Sequence, residues 1–348
     1  MKKIRTIAAT VLCICAVAGG LWFYVEKQEQ ERSCTKELFA MDTVMSFTAY
    51  GRNAEDAVDA AVKEVQRLDD LLSTGKETSE ISQLNQKGSL LVSEDTESIL
   101  KEAQTIYKET DGLFDITIYP LMKLWGFPTQ EYHVPDQAEL NQVLPLVDAS
   151  KVEISDRKVT IGAGQEVDLG GIAKGYTSGR VMEIYKEYGI TSGMVSLGGN
   201  VQTLGKKPDG TLWKVGIRKP DSQSEPENEI SLILETQDQA VITSGGYERY
   251  FEENGETYIH ILDPRTGYPA DSDMKSVTIV SGNGMLADAL STSLYMMGRA
   301  EATEFWRAHR DLFEMILIDE NDDIYVTQGL EKNVTAREKT KNIKIIKI

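Results

Sequence analysis

The chain has 348 residues, enough to bury one large core or two smaller ones. Its 55 acidic side chains outnumber 37 basic ones for a net charge of -18, which excludes a general nucleic-acid-binding role, since that needs a basic face. An acidic protein that handles an anionic ligand must gather its few cations, or a metal ion, in one place.

The N-terminus carries Lys2, Lys3 and Arg5 ahead of an uncharged run from Thr6 to Val25. As a helix that run spans ~30 Å of hydrocarbon, and the positive flank puts the N-terminus inside and the rest of the chain outside. The expectation is a signal anchor over residues 1–25, one transmembrane helix, then a polar tether over 26–37 and a catalytic domain over 38–348. That places the domain at the cell membrane on the extracytoplasmic side. A cleaved signal peptide is the rival reading, and its apolar core is usually shorter. Cys13 and Cys15 lie inside the run, and Cys34 follows Glu31-Arg32-Ser33, a poor context for lipidation. Beyond the anchor Cys34 is alone, so the folded part forms no internal disulfide.

Residues 39–50 read as a strand. Asn53 opens a helix to about Leu72, with Val58, Val62, Val65 and Leu72 on its core face. Residues 73–86 are polar and read as a loop. A second helix runs from about Glu94 to Thr110 and stops at Gly112. Residues 113–120 read as a short extended segment broken by Pro120, residues 125–135 as a loop and 136–144 as a short helix. Residues 151–161 alternate about Asp156-Arg157 as a hairpin. Residues 167–176 lead into a helix ending at Gly189, and 194–200 form a strand closing in a glycine turn. Residues 213–218, 230–236 and 240–246 are further strands, the last ending in glycines, and Asn254-Gly255 marks a hairpin. An apolar strand over 276–280, a helix from Gly284 and a hairpin over 313–326 complete the chain. Many strands with interspersed helices, and no regular βαβ rhythm, give an α+β fold.

Two stretches carry chemistry. His260-Ile-Leu-Asp-Pro-Arg-Thr-Gly267 ends a strand in a turn rich in Asp, Pro and Gly. In the helix beyond it Asp288 and Thr292 stand four apart, so their oxygens share a face. A lone pair of this kind is usually a local hydrogen bond or a solvated face. Beside a rare histidine and an arginine-bearing turn it becomes one wall of an anionic-ligand site with a divalent metal.

The second stretch is Asp168-Leu-Gly-Gly-Ile-Ala-Lys-Gly175. Glycines at a helix start let amides approach phosphate oxygens within the helix field, and Lys174 adds a point charge. The pattern is neither a P-loop nor a dinucleotide fingerprint; the plainer alternative is a tight junction that needs glycine for packing. Asp168 is a helix cap or a ligand for a hydroxyl or ring nitrogen. Glycine pairs at 170–171, 198–199 and 245–246 read as backbone lining a cleft. Of the three histidines, His133 falls in a proline-bounded loop and His309 among charges on an exposed helix. His260 suits the deprotonation of a hydroxyl near neutral pH, with a buried, hydrogen-bonded histidine as the plainer reading. No Ser-His-Asp order, CxxC or HExxH is present, which leaves nucleophilic-hydrolase and zinc readings without support.

Taken together the chain resembles the FAD:protein FMN transferase (ApbE) family. The matching residues are Met41-Asp-Thr43, Ser79-Glu-Ile-Ser82 with Asn85, Phe114-Asp115, Asp168 to Gly175, Gly198-Gly-Asn200, Thr243-Ser-Gly245, His260 to Gly267, and Ala287-Asp-Ala289 with Thr292. The resemblance implies mixed, mainly antiparallel sheets with packed helices, and an enzyme that moves FMN from FAD to a Ser or Thr hydroxyl of an acceptor flavoprotein, releasing AMP. It implies FAD contacts at Met41, Leu113, Phe114, Asp115, Asp168, Lys174 and the backbone of Leu262. It implies magnesium held by the Gly171 carbonyl, Asp288 and Thr292, with His260 and Asp288 as the catalytic groups. One departure stands out: Ser73-Thr-Gly75 lies where family members often carry an aromatic residue near adenine. A FAD pyrophosphatase and a non-catalytic flavin-binding surface protein are the rival functions.

Overall fold

The computed structural model describes residues 32–220, 230–337 and 343–348. The expected anchor over 1–25 lies outside the described residues. Among the described residues no helix is long and apolar enough to cross a membrane.

A nine-stranded sheet takes its strands in the order of the chain. They are β1 (Ser33–Ala40), β2 (Thr43–Tyr50), β3 (Ser192–Leu197), β4 (Asn200–Leu204) and β5 (Ala240–Gly245). Then come β6 (Met274–Ser281), β7 (Glu314–Asp319), β8 (Ile324–Thr327) and β9 (Ile343–Ile346). Neighbours run antiparallel except β8 and β9, which are parallel.

The sheet buries both faces where its strands alternate. On β5 and β6, Ile242, Val277 and Ile279 enter one core, while Val241 and Val280 enter another on the opposite face. That second core is closed by a three-stranded sheet of Trp213–Arg218, Ile230–Thr236 and Val334–Ala336. The helices divide: α1 (Ala54–Leu72), α2 (Glu80–Lys87) and α3 (Glu94–Glu109) close the first core, α4 (Tyr119–Leu124) and α5 (Gln137–Val143) pack in a separate cluster around Leu121, Trp125 and Leu140, and α6 (Ala173–Glu187) and α7 (Gly284–His309) return to the first core. On α1 the stripe Ala54, Ala57, Val58, Ala61, Val65, Leu68, Leu72 is buried at helical spacing. The α+β expectation holds, with antiparallel pairing dominant.

Several expectations need correction. Residues 39–50 are two strands, because Met41 (φ 48°) and Asp42 (φ 59°) form a tight turn with both residues left-handed. The turn carries no glycine, and the apolar pattern runs straight through it. Ser33–Lys36, assigned to the tether, already pair with β2 as strand. The polar loop at 73–86 contains α2, capped by Ser79, whose Oγ accepts from Ser82 N at 2.9 Å, and closed by left-handed Gly88. Ile81 and Leu84 are its only buried apolar residues, too short a pattern to read. Residues 113–118 are turns rather than an extended strand, and Pro120 opens α4 instead of breaking it, since a first-turn proline gives up no hydrogen bond. Asn53 precedes α1 as expected, but its Nδ2 donates to Tyr188 O at 2.9 Å and its side chain does not cap the helix. His309 is half-buried with its ring stacked on Phe305, centroids 4.2 Å apart. Within α7, Gly298 takes a non-helical φ of 71° and ψ of 173°.

Candidate active site

Helices α6 and α7 touch at glycine. A Cβ on Gly175 would lie 2.1 Å from the Gly284 carbonyl oxygen, and one on Gly284 would lie 2.4 Å from the Gly175 oxygen. Only glycine permits this approach. It brings Asp288, one turn beyond Gly284, onto the start of α6. There Oδ2 accepts the Gly175 amide at 2.8 Å, and Oδ1 accepts Asn200 Nδ2 at 2.9 Å. The first amides of a helix have no partner within it, so a carboxylate from α7 caps α6. Asp288 is only 5% exposed. It is thus a buried side chain, not the partly exposed one that its helix face suggested.

Just before α6 the Gly171 carbonyl accepts no hydrogen bond from any described residue. One turn beyond Asp288, Thr292 Oγ1 lies 3.2 Å from Ser244 Oγ. Among the described residues no cluster of three or more His, Cys, Asp or Glu gathers. A cation here would rest on one carboxylate with neutral oxygens. That set fits magnesium, which keeps several waters, takes phosphate oxygens and needs only one or two carboxylates.

Within the field of Lys174 comes the hairpin of Tyr250–Glu253 and Glu256–Ile259, turning at Asn254 and Gly255 and flanked by Glu248 and His260. His260 follows it, half-buried by surface area but enclosed by protein on most sides. Its backbone amide and its Nδ1 both lie 3.0 Å from the Arg249 carbonyl. A carbonyl only accepts, so Nδ1 carries the proton and Nε2 offers a lone pair. Arg249 Nη2 donates to Phe127 O at 2.8 Å, and the Phe127 ring stands edge-on to the imidazole at 6.4 Å. Burial, reinforced by the Arg249 and Lys174 charges, lowers the His260 pKa to about 4. At neutral pH the ring is therefore uncharged.

Lys174 links these segments through its charge. Its charge acts on Asp168, Glu248 and His260, and its Nζ lies 3.3 Å from Gly170 O. Asp168 is half-buried by surface area but walled by protein, and that desolvation raises its carboxyl above the usual range, opposed by the Gly170 amide, Lys174 and Arg249. Its Oδ1 accepts Gly170 N at 2.8 Å, which closes the turn that presents Gly171. Glu248, which the sequence reading did not single out, sits in the same field: burial raises its carboxyl, Lys174 and Arg218 oppose the rise, and Asp288 adds to it.

The remaining expected contacts divide. Phe114 packs under Gly171, where an added Cβ would lie 3.2 Å from Cε2, and Leu113 is buried beside it. Met41, at the β1–β2 turn, donates its amide to Asp69 Oδ1 at 3.0 Å and places its sulfur 4.0 Å from Thr177 Oγ1 on α6. Leu262 pairs with Pro269 in an isolated bridge and is buried. Asp115 has its carboxylate engaged: Oδ1 takes Thr117 N and Oγ1 at 2.7 and 2.6 Å, and Oδ2 takes Ala149 N at 2.9 Å. Arg265 is forked onto Asp263, with Nη2 to Oδ2 at 2.7 Å. Glu248 went unnoticed in the sequence, and Asn200, quoted there with its glycine pair, was given no role. Each follows a glycine pair, the one signal that Glu248 offers.

The chain matches the ApbE family over residues 41–317. It is 33% identical over 281 residues to the FAD:protein FMN transferase of Vibrio cholerae, covering 79% of this chain and 82% of that protein. It is 32% identical over 271 residues to the FAD:protein FMN transferase of Klebsiella pneumoniae, covering 76% and 82%. The crystal structure of the Thermotoga maritima ApbE protein superposes with a TM-score of 0.81 at 30% identity, over 88% of this chain and 100% of that one. The flavin transferase ApbE of Vibrio cholerae does so with a TM-score of 0.77 at 27% identity, over 87% and 99%. Fold, site and relatives together define an enzyme. The chain belongs to the ApbE family.

Proposed function

We propose that this chain transfers FMN from FAD to a Ser or Thr hydroxyl of an acceptor protein, with magnesium, and releases AMP. The carrying observation is Asp288, buried and oriented by the Gly175 amide at the start of α6 and by Asn200. In this reading Gly171, Asp288 and Thr292 hold the magnesium ion. Bound there, magnesium supplies positive charge against the transferring and leaving phosphate oxygens. The start of α6 and Lys174 hold the pyrophosphate. Met41, Leu113, Phe114, Asp115, Asp168 and the Leu262 backbone line the nucleotide, and Asp115 also ties its own turn to Ala149.

His260 Nε2 takes the proton of the acceptor hydroxyl as its oxygen bonds the FMN phosphorus. The bond from that phosphorus to the AMP oxygen breaks, and AMP carries the pair away. The fixed tautomer supports this role, because a neutral ring with its Nδ1 proton committed to Arg249 can only accept at Nε2. The uncharged run Thr6–Val25 supports a membrane anchor with the enzyme outside.

The test is intact-mass measurement after incubation with FAD, magnesium and an acceptor domain. The acceptor gains one FMN, and replacing its hydroxyl residue with Ala prevents this. If free FMN accumulates at the same rate with or without an acceptor that never gains mass, water is the nucleophile and the proposal fails.

A further inference from the structure

Asn200 opens β4 directly after the left-handed pair Gly198 (φ 62°) and Gly199 (φ 94°), and it is 4% exposed. Its Nδ2 donates to one oxygen of Asp288 at 2.9 Å, while the Gly175 amide donates to the other at 2.8 Å. Two donors from two elements, a strand and a helix start, fix both the rotation and the tilt of one carboxylate. A carboxylate offers about four lone-pair sites, so the pair leaves room for a further ligand. Both donors are uncharged, and among the described residues Asp288 makes no ion pair. A buried carboxylate that is oriented but not neutralised is costly unless a cation completes it.

The neighbour on the same face of β4 behaves differently. Gln202, two residues on, accepts from Ser178 Oγ at 2.6 Å and is 6% exposed. It ties the strand to α6 without touching Asp288. The strand thus separates a purely structural polar contact from one directed at the carboxylate.

We infer that Asn200 is a positioning residue for the cation centre, holding Asp288 in the orientation in which it takes magnesium. This rests on the magnesium reading above. Hydrogen-bond partners of this kind are worth roughly 10–100-fold in metal affinity.

The test titrates magnesium into the full-length, FAD-bound protein by calorimetry, without acceptor, and follows the magnesium dependence of transfer separately. Asn200→Ala raises the magnesium Kd by about 10–100-fold, while kcat at saturating magnesium stays close to that of the unaltered protein. Gln202→Ala leaves the magnesium Kd unchanged. Asn200→Ser, which keeps a shorter hydroxyl donor, falls between, and serves if the alanine variant folds poorly. An unchanged Kd in Asn200→Ala, or in Asn200→Ser where only that variant folds, overturns the inference, as does equal weakening by Gln202→Ala. Asp288→Ala is measured in parallel. If it binds magnesium as tightly as the unaltered protein, the metal reading itself fails; if it alone weakens binding, only the role of Asn200 fails.

Discussion

The amide of Gly175 and the carboxylate of Asp288 meet at 2.8 Å across a helix crossing, although they lie 113 residues apart in the chain. One contact therefore serves as the cap of α6 and as the fixing point of the acidic group in the site. Asp288→Ala should cost stability as well as function, because it strands two buried donors, Gly175 N–H and Asn200 Nδ2, at ~1–3 kcal/mol each. Urea denaturation and a magnesium titration of AMP release check both halves. An unchanged unfolding midpoint together with unchanged magnesium dependence would sink the assignment.

The crossing itself makes a paired prediction. Gly175→Ala drives a methyl group into the Gly284 carbonyl at 2.1 Å and towards Asp288 Cβ at 2.7 Å. It should destabilise by ~1–3 kcal/mol or more and lower transfer sharply by parting α6 from α7. Gly179→Ala, one turn on, meets nothing within 4 Å. It should stabilise by ~0.5–1 kcal/mol and leave transfer intact. Equal melting temperatures for the two variants would contradict the geometry.

His260 gives the pH dependence. In the unfolded chain its pKa is about 6.5; in the fold it is lowered to about 4. Above pH 6.5 the ring is neutral in both states and its contribution to stability is fully present. As pH falls from there to about 4 the unfolded chain takes up a proton that the folded chain excludes, so that contribution is lost. His260→Asn should flatten this part of the stability profile. If His260 is the base, kcat/KM for FAD should hold from neutrality to about pH 5 and fall near pH 4, and His260→Ala should slow transfer by ~100-fold or more. An acid limb centred near pH 6.5 that vanishes in His260→Asn would argue against the buried, neutral ring.

The proposed anchor over residues 1–25 is tested on intact cells. Added protease should digest the catalytic domain while the segment before it stays with the membrane fraction. Full protection of the domain would place it on the other side.

Much of the element list could be read from the chain, because its turns declare themselves. Asn254-Gly255, Asp156-Arg157 and Gly198-Gly199 each sit where a hairpin needs left-handed residues. The β1–β2 turn did not, since Met41 and Asp42 adopt that conformation without glycine and interrupt no apolar rhythm. Helix α2 hid for the opposite reason: two buried apolar residues in eight make no stripe. In the site, the spacing of Asp288 and Thr292 was legible as a helix face. What that face meets was not, because burial of Asp288 depends on a glycine contact with a helix from another part of the chain. The internal ties of Asp115 were equally illegible: its carboxylate spends both oxygens on Thr117 and on Ala149, 34 residues away, a pairing no local pattern records.

The break at Gly298 has a consequence for how α7 tolerates change. Asp273 Oδ1 accepts the Arg299 amide at 2.9 Å, so the segment after the break starts as a helix with its own cap. The inner segment, with Asp288 and Thr292, keeps its own phase. A single residue inserted after Gly298 would turn the outer segment by about 100° and leave the inner one in register. The two segments therefore set their phases separately, and they are joined again by one core, in which Ala302 and Trp306 of the outer segment pack with Leu290 and Leu294 of the inner one.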